Sequence, residues 1–363
     1  MPDPVADAQA DPRAPLANSA GQDPIGQDPT SQQPPRPRRG GRWLRLTALI
    51  AGLSLLLVIS GTATAGWLYA RSVESQVDKV EVFTALPQAQ RPAKAVEQAT
   101  NFLIVGSDSR DPDTAGSRTD TIILAHLPAG RDSVQLVSIP RDTWVRVPSE
   151  SGTGEGQQDK INSAYANGGT PLLVQTVEAF TGVRIDHVLL IDFGGFAEII
   201  DAVGGIELAV DESFTSVHPP YRTFTAGMQR MDGETALDYA RQRYQFTDGD
   251  FTRMRHQQEI IAAVLDQASG SGLLTDPARL NSFLRATADA VTVDEGTSVF
   301  DTVWALRQLR RGDLTMLTSP SAGTGQQAGQ SVVFPDEAGA AALYEAIRTD
   351  TVDEWLLEHP TGS

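Results

Sequence analysis

Cysteine is absent from the 363 residues. That excludes disulfides, thiolate metal sites and cysteine nucleophiles together, and leaves the compartment to be argued from other features. Lysine is nearly absent: Lys79, Lys94 and Lys160 are the only three, so 26 of the 29 basic side chains are arginine. The five histidines show no HExxH and no paired-ligand spacing, and neither a Walker loop nor a GxSxG elbow occurs. Positive charge is in deficit. With 46 acidic side chains the net charge is −17, which argues against a nucleic-acid partner. Hydrophobic residues (40%) and charged residues (21%) are at ordinary levels, which excludes global disorder, a collagen-like chain and a coiled-coil rod.

Composition changes along the chain. Residues 1–45 are rich in Pro, Asp, Gln, Gly and Ala, without an apolar pattern that repays ordering, and predict a disordered tail. Arg36, Arg38, Arg39, Arg42 and Arg45 close it. Residues 46–70 then form an uncharged run of 25, long enough for a helix to span a hydrocarbon core of about 30 Å. Trp67 and Tyr69 sit near its far end, where aromatic rings suit the headgroup zone. The arginines before the run predict a single-pass signal-anchor with a cytoplasmic N-terminus and everything after residue 70 outside the membrane. A cleaved signal peptide, with Ala63-Thr64-Ala65 as its cleavage site, is the alternative; the run is long for a signal core. Residues 71–99 read as a stalk, 100–350 as one α/β domain and 351–363 as a tail.

Within the domain, strands are expected at Asn101–Val105, Thr121–Leu127, Val134–Ile139, Val188–Ile191 and Ile206–Val210, and shorter ones near residues 314–317 and 331–334. Helices are expected over Ile161–Phe180 before Gly182, from Gly194 to Val203, over Asp232–Gln242 and Asp250–Ala268 with acidic N-caps, across 276–311 and over Glu337–Arg348. This alternation predicts a central sheet between helical layers.

Asp108-Ser109-Arg110 follows one expected strand and Arg118-Thr119-Asp120 precedes the next. Open α/β sheets bind ligands at strand ends. Two carboxylates there suit Mg²⁺, which binds oxygen and keeps sites for water or phosphate; turn capping is the plainer role for such aspartates. Arg141-Asp142 follows a third strand, Arg241 and Arg243 alternate, and Arg253 and Gln257 lie four apart on one helix face. Guanidinium groups at strand ends in an acidic domain predict an anionic, phosphate-bearing ligand.

The motifs NFLIVGSDSR (101–110), SRTDTIILAHL (117–127), LVSIPRDTWV (136–145), KINSAYANGG (160–169), DHVLLIDFGGF (186–196), DAVGGIEL (201–208), MDGETALDYARQR (231–243) and GDFTRMRHQQ (249–258) run collinearly, and together they resemble the LytR-CpsA-Psr family of bacterial cell-wall assembly proteins. The resemblance implies an extracytoplasmic α-β-α domain around a mixed sheet behind one membrane helix. It also implies a Mg²⁺-dependent phosphotransferase acting on a polyprenyl-pyrophosphate-linked glycopolymer as donor and peptidoglycan as acceptor. Asp108 and Asp120 match the metal aspartates. Arg118, Arg141, Arg241, Arg243 and Arg253 match the pyrophosphate-gripping arginines, with Gln257 beside them. Arg110 is assigned to the same group, although it, Asp142, Lys160 and Asn162 match motif positions without a firm role. Asp250 matches an acidic position.

Residues of these types suit the implied chemistry. Preorganised cations stabilise charge on a transferring phosphoryl group without proton bookkeeping. The attacking hydroxyl needs a base or an orienting contact, for which Asp250 and Asp142 are the candidates. A polyprenyl tail calls for an apolar tunnel, expected among residues 172–180, 196–203 and 260–265. Two other functions fit the same sequence: a polyprenyl-pyrophosphate phosphatase, with water as acceptor, and a non-catalytic lipid carrier or regulator. The polar segment 148–159 is expected to be a loop near the site.

Overall fold

The computed structural model describes residues 69, 71–107, 119–149 and 156–359. The tail, nearly all of the expected membrane span, and Asp108, Arg110 and Arg118 lie outside them. Among the described residues no helix is long and apolar enough to cross a membrane.

Strands in chain order are β1 (Asp78–Val80), β2 (Thr100–Ser107), β3 (Thr119–Leu127), β4 (Val134–Ser138), β5 (Trp144–Val147), β6 (Gln157–Lys160), β7 (His187–Asp192), β8 (Ile206–Val210), β9 (Phe214–Thr215), β10 (Thr223–Phe224), β11 (Gly227–Met231), β12 (Val291–Asp294), β13 (Leu314–Thr318), β14 (Ser321–Gln327) and β15 (Gln330–Pro335). The helices are α1 (Ile161–Thr181), α2 (Phe193–Ala202), α3 (Gly233–Ala240), α4 (Asp250–Gly270), α5 (Pro277–Ala290), α6 (Val299–Leu306), α7 (Glu337–Thr349) and α8 (Val352–Glu358).

Seven strands form one sheet in the order β1-β12-β7-β2-β3-β4-β13. It is mixed: β2 runs parallel to β7 and antiparallel to β3, and β4 runs parallel to β13. Both faces are apolar, because successive side chains leave a strand on opposite sides. Leu103, Val105, Ile122, Leu124 and Val137 face one core, shared with residues of α1 and α7. Ile123, Ala125 and Leu136 face the other, with Phe102, Ile104 and, from α4, Ile261 and Leu265 packed against it. The α-β-α layering and the central mixed sheet expected from sequence are therefore present.

The register fixes the two ends of the sheet. Ser107 lies opposite Thr119 and Asp192 at one end; Thr100 lies opposite Leu127, and Phe102 opposite His187, at the other. All candidate site residues that are described gather at the first end.

Several expectations change. Residues 71–99 are no stalk: β1 is a strand of the main sheet, and Val73, Val77, Val82 and Leu86 are buried in its cores. The expected C-terminal tail contains α8, with Val352 buried. In segment 148–159, residues 157–159 belong to β6, which pairs antiparallel with β5. Asp250 does not cap α4. Gly249 holds the N-cap position, and Asp250 is the first helical residue, which frees its carboxylate for the site.

Candidate active site

Local structure brings four chain segments together. Asp120 sits at the start of β3. Arg141 follows β4, and its carbonyl accepts from the Asn162 amide in the first turn of α1. Arg241 is the C-cap of α3. Asp250, Arg253 and Gln257 occupy the first two turns of α4, where spacings of three and four put them on one face.

Asp250 is the hub. Its Oδ1 lies 2.7 Å from Arg253 Nη2, 3.6 Å from Arg243 Nη1 and 4.0 Å from Arg141 Nε. Arg253 Nη2 also donates to the Asp120 carbonyl at 2.9 Å. Arg141 Nη1 donates to Asp120 Oδ1, and its Nε lies 3.7 Å from Asp142 Oδ2. Lys160 Nζ closes the ring, 3.0 Å from Asp142 Oδ1.

Four cations thus meet three carboxylates, and burial deepens from the rim inward to Arg253. Arg253 is only 5% exposed. Burial pushes the Arg141 and Arg253 guanidinium groups below their usual range; Asp250 opposes the shift for both, and neighbouring arginines add to it. Both remain cations, because arginine is not deprotonated in proteins. Arg141 Nε, Arg253 Nε and Gln257 Oε1 are buried with no hydrogen-bond partner among the described residues. A buried polar atom left unpaired costs about 1–3 kcal/mol. Unpaired N–H groups on buried cations are what an incoming phosphate would satisfy.

Beside this cluster opens an apolar cleft of about 100 Å³, between the sheet and α2, α3 and α4. Ile104, Ile123, Phe196, Leu237 and Ile261 supply its walls, and Thr121, Asp192, Arg241 and Gln257 are its polar lining. The Arg241 guanidinium lies 4.5 Å above the Phe193 ring. Of the segments expected to house a lipid, 196–203 and 260–265 each contribute a wall residue. Segment 172–180 packs instead into the core on the opposite sheet face.

The structure therefore brings together Asp120, Arg141, Arg243, Asp250 and Arg253, with Arg241 and Gln257 at the cleft, and adds Asp142 and Lys160. Asp108, Arg110 and Arg118 lie outside the described residues. Among the described residues no three His, Asp or Glu side chains are placed to hold a metal ion together. The donor chemistry fits Mg²⁺ nonetheless, since that ion takes one or two carboxylates and completes its shell with water and phosphate. Asp120 is about one-third exposed and engages Arg141 through Oδ1. Sequence reasoning missed Phe193 as the platform for Arg241; an aromatic residue directly after an expected strand end was the available signal.

The model of the LytR_cpsA_psr family matches residues 65–348. A probable cell wall biosynthesis protein, LcpB of Corynebacterium glutamicum, is 38% identical over 318 residues, covering 83% of this chain and 69% of that protein. A protein of Halalkalibacterium halodurans named polyisoprenyl-teichoic acid–peptidoglycan teichoic acid transferase TagU is 35% identical over 212 residues, 58% of this chain and 65% of that protein. The chain thus spans about two thirds of the length of each of these relatives. The crystal structure of B. subtilis TagV superposes with a TM-score of 0.61 at 25% identity, covering 71% of this chain and 98% of that one.

Proposed function

The chain belongs to the LytR-CpsA-Psr family, and on that premise we propose that it is a membrane-anchored, Mg²⁺-dependent phosphotransferase that joins a polyprenyl-pyrophosphate-linked glycopolymer to peptidoglycan through a phosphodiester. The observation that carries this reading is the buried arginine cluster beside an apolar cleft: one pole suits a pyrophosphate, the other a prenyl chain. The name of the TagU relative, a polyisoprenyl-teichoic acid–peptidoglycan transferase, supports the same donor and acceptor classes. Residues 46–70 are the anchor, with the domain outside the cell membrane.

In this mechanism Arg141, Arg243 and Arg253 bind the two phosphates. Arg241, placed over the Phe193 ring, meets the phosphate nearest the cleft. Asp250 is a positioning residue that keeps three guanidinium groups from repelling one another. An acceptor hydroxyl attacks the sugar-bearing phosphorus, the phosphoanhydride bond breaks, and polyprenyl phosphate leaves. Asp142, on the rim beside Lys160, orients that hydroxyl and accepts its proton. Mg²⁺, held by Asp120 and Asp108, would supply further charge neutralisation across the two phosphates. Fixed cations need no reorganisation as charge develops, which is where such sites gain most of their rate.

The test uses the full chain with a polyprenyl-pyrophosphate oligosaccharide, muropeptides and Mg²⁺, with products analysed by mass. A phosphate-bridged sugar–muropeptide adduct is expected, lost with EDTA and in Asp120→Ala. Sugar phosphate released without adduct would assign the site to hydrolysis instead, and lipid binding without turnover would make the protein a carrier.

A further inference from the structure

The end of the sheet opposite the arginine cluster has its own surface character. Helix α6 crosses beneath that end: Ala305 and Leu306 line a pocket there with Thr100, Phe102, Leu127 and His187. Only Val299 of its eight residues is buried. Trp304 is 56% exposed. Phe300 stacks one turn before it, with ring centroids 6.4 Å apart, and the Arg307 guanidinium lies 4.2 Å above the Trp304 ring. These three residues form one stripe along the helix. The chain continues as RQLRR over residues 307–311. Arg311 pairs with Glu259, whereas Arg310 is exposed and its side chain donates, among the described residues, to the Gln308 and Leu309 carbonyls.

The same end of the molecule receives the chain from its apolar run. Tyr69, at the far end of that run, donates its hydroxyl to Asn281 Oδ1 in the second turn of α5, and packs with Phe300 and Val303 of α6 against one cluster. After the turn at residues 75–77 the chain enters β1, whose register against β12 and β7 carries it away from the arginine end. The point of entry is therefore beside α6.

We propose that α6 and the adjoining arginines form a membrane-docking face, with Trp304 at the headgroup layer and Arg307 and Arg310 against anionic phospholipid phosphates. This rests on the reading of residues 46–70 as the anchor. Tryptophan suits the interface between apolar and wet zones, and arginines near a membrane surface are drawn to anionic lipid. Neither signal holds a protein on a membrane alone, but a neighbouring anchor turns docking into an intramolecular event. Asp301, exposed on the same helix, and Asp313, whose Oδ2 accepts from the Arg310 backbone N–H at 2.8 Å, oppose the attraction. One consequence is geometric. The arginine cluster stands roughly 25 Å above the lipid surface, the length of an eight-residue strand such as β2. A donor lipid then reaches it by leaving the bilayer along the apolar cleft.

The absence of cysteine makes the test direct. In the full chain, Trp304→Cys and, at the arginine end, Tyr244→Cys each carry a nitroxide label; native Tyr244 is 74% exposed. Both proteins are reconstituted in vesicles containing phosphatidylglycerol. Power saturation is expected to show several-fold greater access of oxygen, and reduced access of a water-soluble nickel chelate, at position 304 than at 244. Adding Arg307→Glu and Arg310→Glu should return the 304 label to water while the protein still floats with the vesicles. Equal, water-like access at both positions in protein that floats overturns the docking face and leaves the anchor intact. Protein that fails to float overturns the anchor reading, and the docking face with it.

Discussion

Arg253 is the residue on which the site's energetics converge. It is buried, contacts Asp250 and the Asp120 backbone, and its Nε has no partner among the described residues. Removing one preorganised donor at a site of developing charge costs about 10²–10³ in rate, so Arg253→Ala should lower kcat by that order in the adduct assay. Asp250→Asn separates the two roles open to this carboxylate. As a counter-ion its loss loosens the arginines. The donor KM should rise about tenfold, by the loss of roughly 1.4 kcal/mol of binding, with the pH profile of kcat unchanged; a proton acceptor would instead lose kcat. His256 gives a prediction on stability. Its ring stacks 4.1 Å from Tyr239 and edge-on to Phe246, and burial pushes its pKa down to about 4. The unfolded chain takes up this proton near pH 6.5 while the fold refuses it until about pH 4. Stability should therefore fall as pH drops through that window, by up to roughly 3 kcal/mol from this group. Urea unfolding at pH 5 and 7 checks this: His256→Phe should show a smaller difference between the two than the natural chain.

Among the elements, the placement of α2 against α5 depends on one small residue. A Cβ at Gly195 would lie 2.1 Å from the Ala290 carbonyl oxygen, a contact that only backbone movement relieves. Asp192 caps α2 through the Gly195 amide, so the helix start is pinned on both sides. Gly195→Ala should cost about 1–3 kcal/mol, as overpacked sites do, measured as a lowered Tm. Because Phe193 and Phe196 are carried by the same helix and line the cleft, the donor KM should rise with it. Helix α1 shows how local sequence ends an element: Gly182 takes the left-handed conformation and donates to the Glu178 carbonyl.

For the whole molecule, the boundary at residue 100 is not where the fold begins. β1 occupies an edge of the main sheet, and the Glu295 carboxylate accepts from the Val82, Phe83 and Thr84 amides. The Arg91–Glu178 pair is buried as well, with 2.7 Å between Nη2 and Oε1. A fragment of residues 100–350 should therefore be insoluble, or lack a cooperative thermal transition by circular dichroism. Residues 71–363 should unfold cooperatively. Losing the Arg91 partner alone leaves a buried carboxylate uncompensated, a change worth about 3–5 kcal/mol.

Sequence determined whatever depends on near neighbours and on residue type. Short, nearly continuous apolar runs placed β2, β3 and β4; an acidic N-cap placed α3; and the eight collinear motifs marked Asp120, Arg141, Arg241, Arg243, Asp250, Arg253 and Gln257. Tertiary structure alone decided what depends on residues far apart in the chain. The order β1-β12-β7-β2-β3-β4-β13 joins strands up to 214 positions apart, as between Lys79 and its partner Val293. No local pattern encodes such pairing, because a short apolar strand is compatible with many neighbours. The same holds for the chemistry. That Asp250 serves three arginines, that Phe193 carries Arg241, and that the cleft takes its walls from α2, α3 and α4 follow from packing, where burial and distance, rather than residue identity, set what a charge can do.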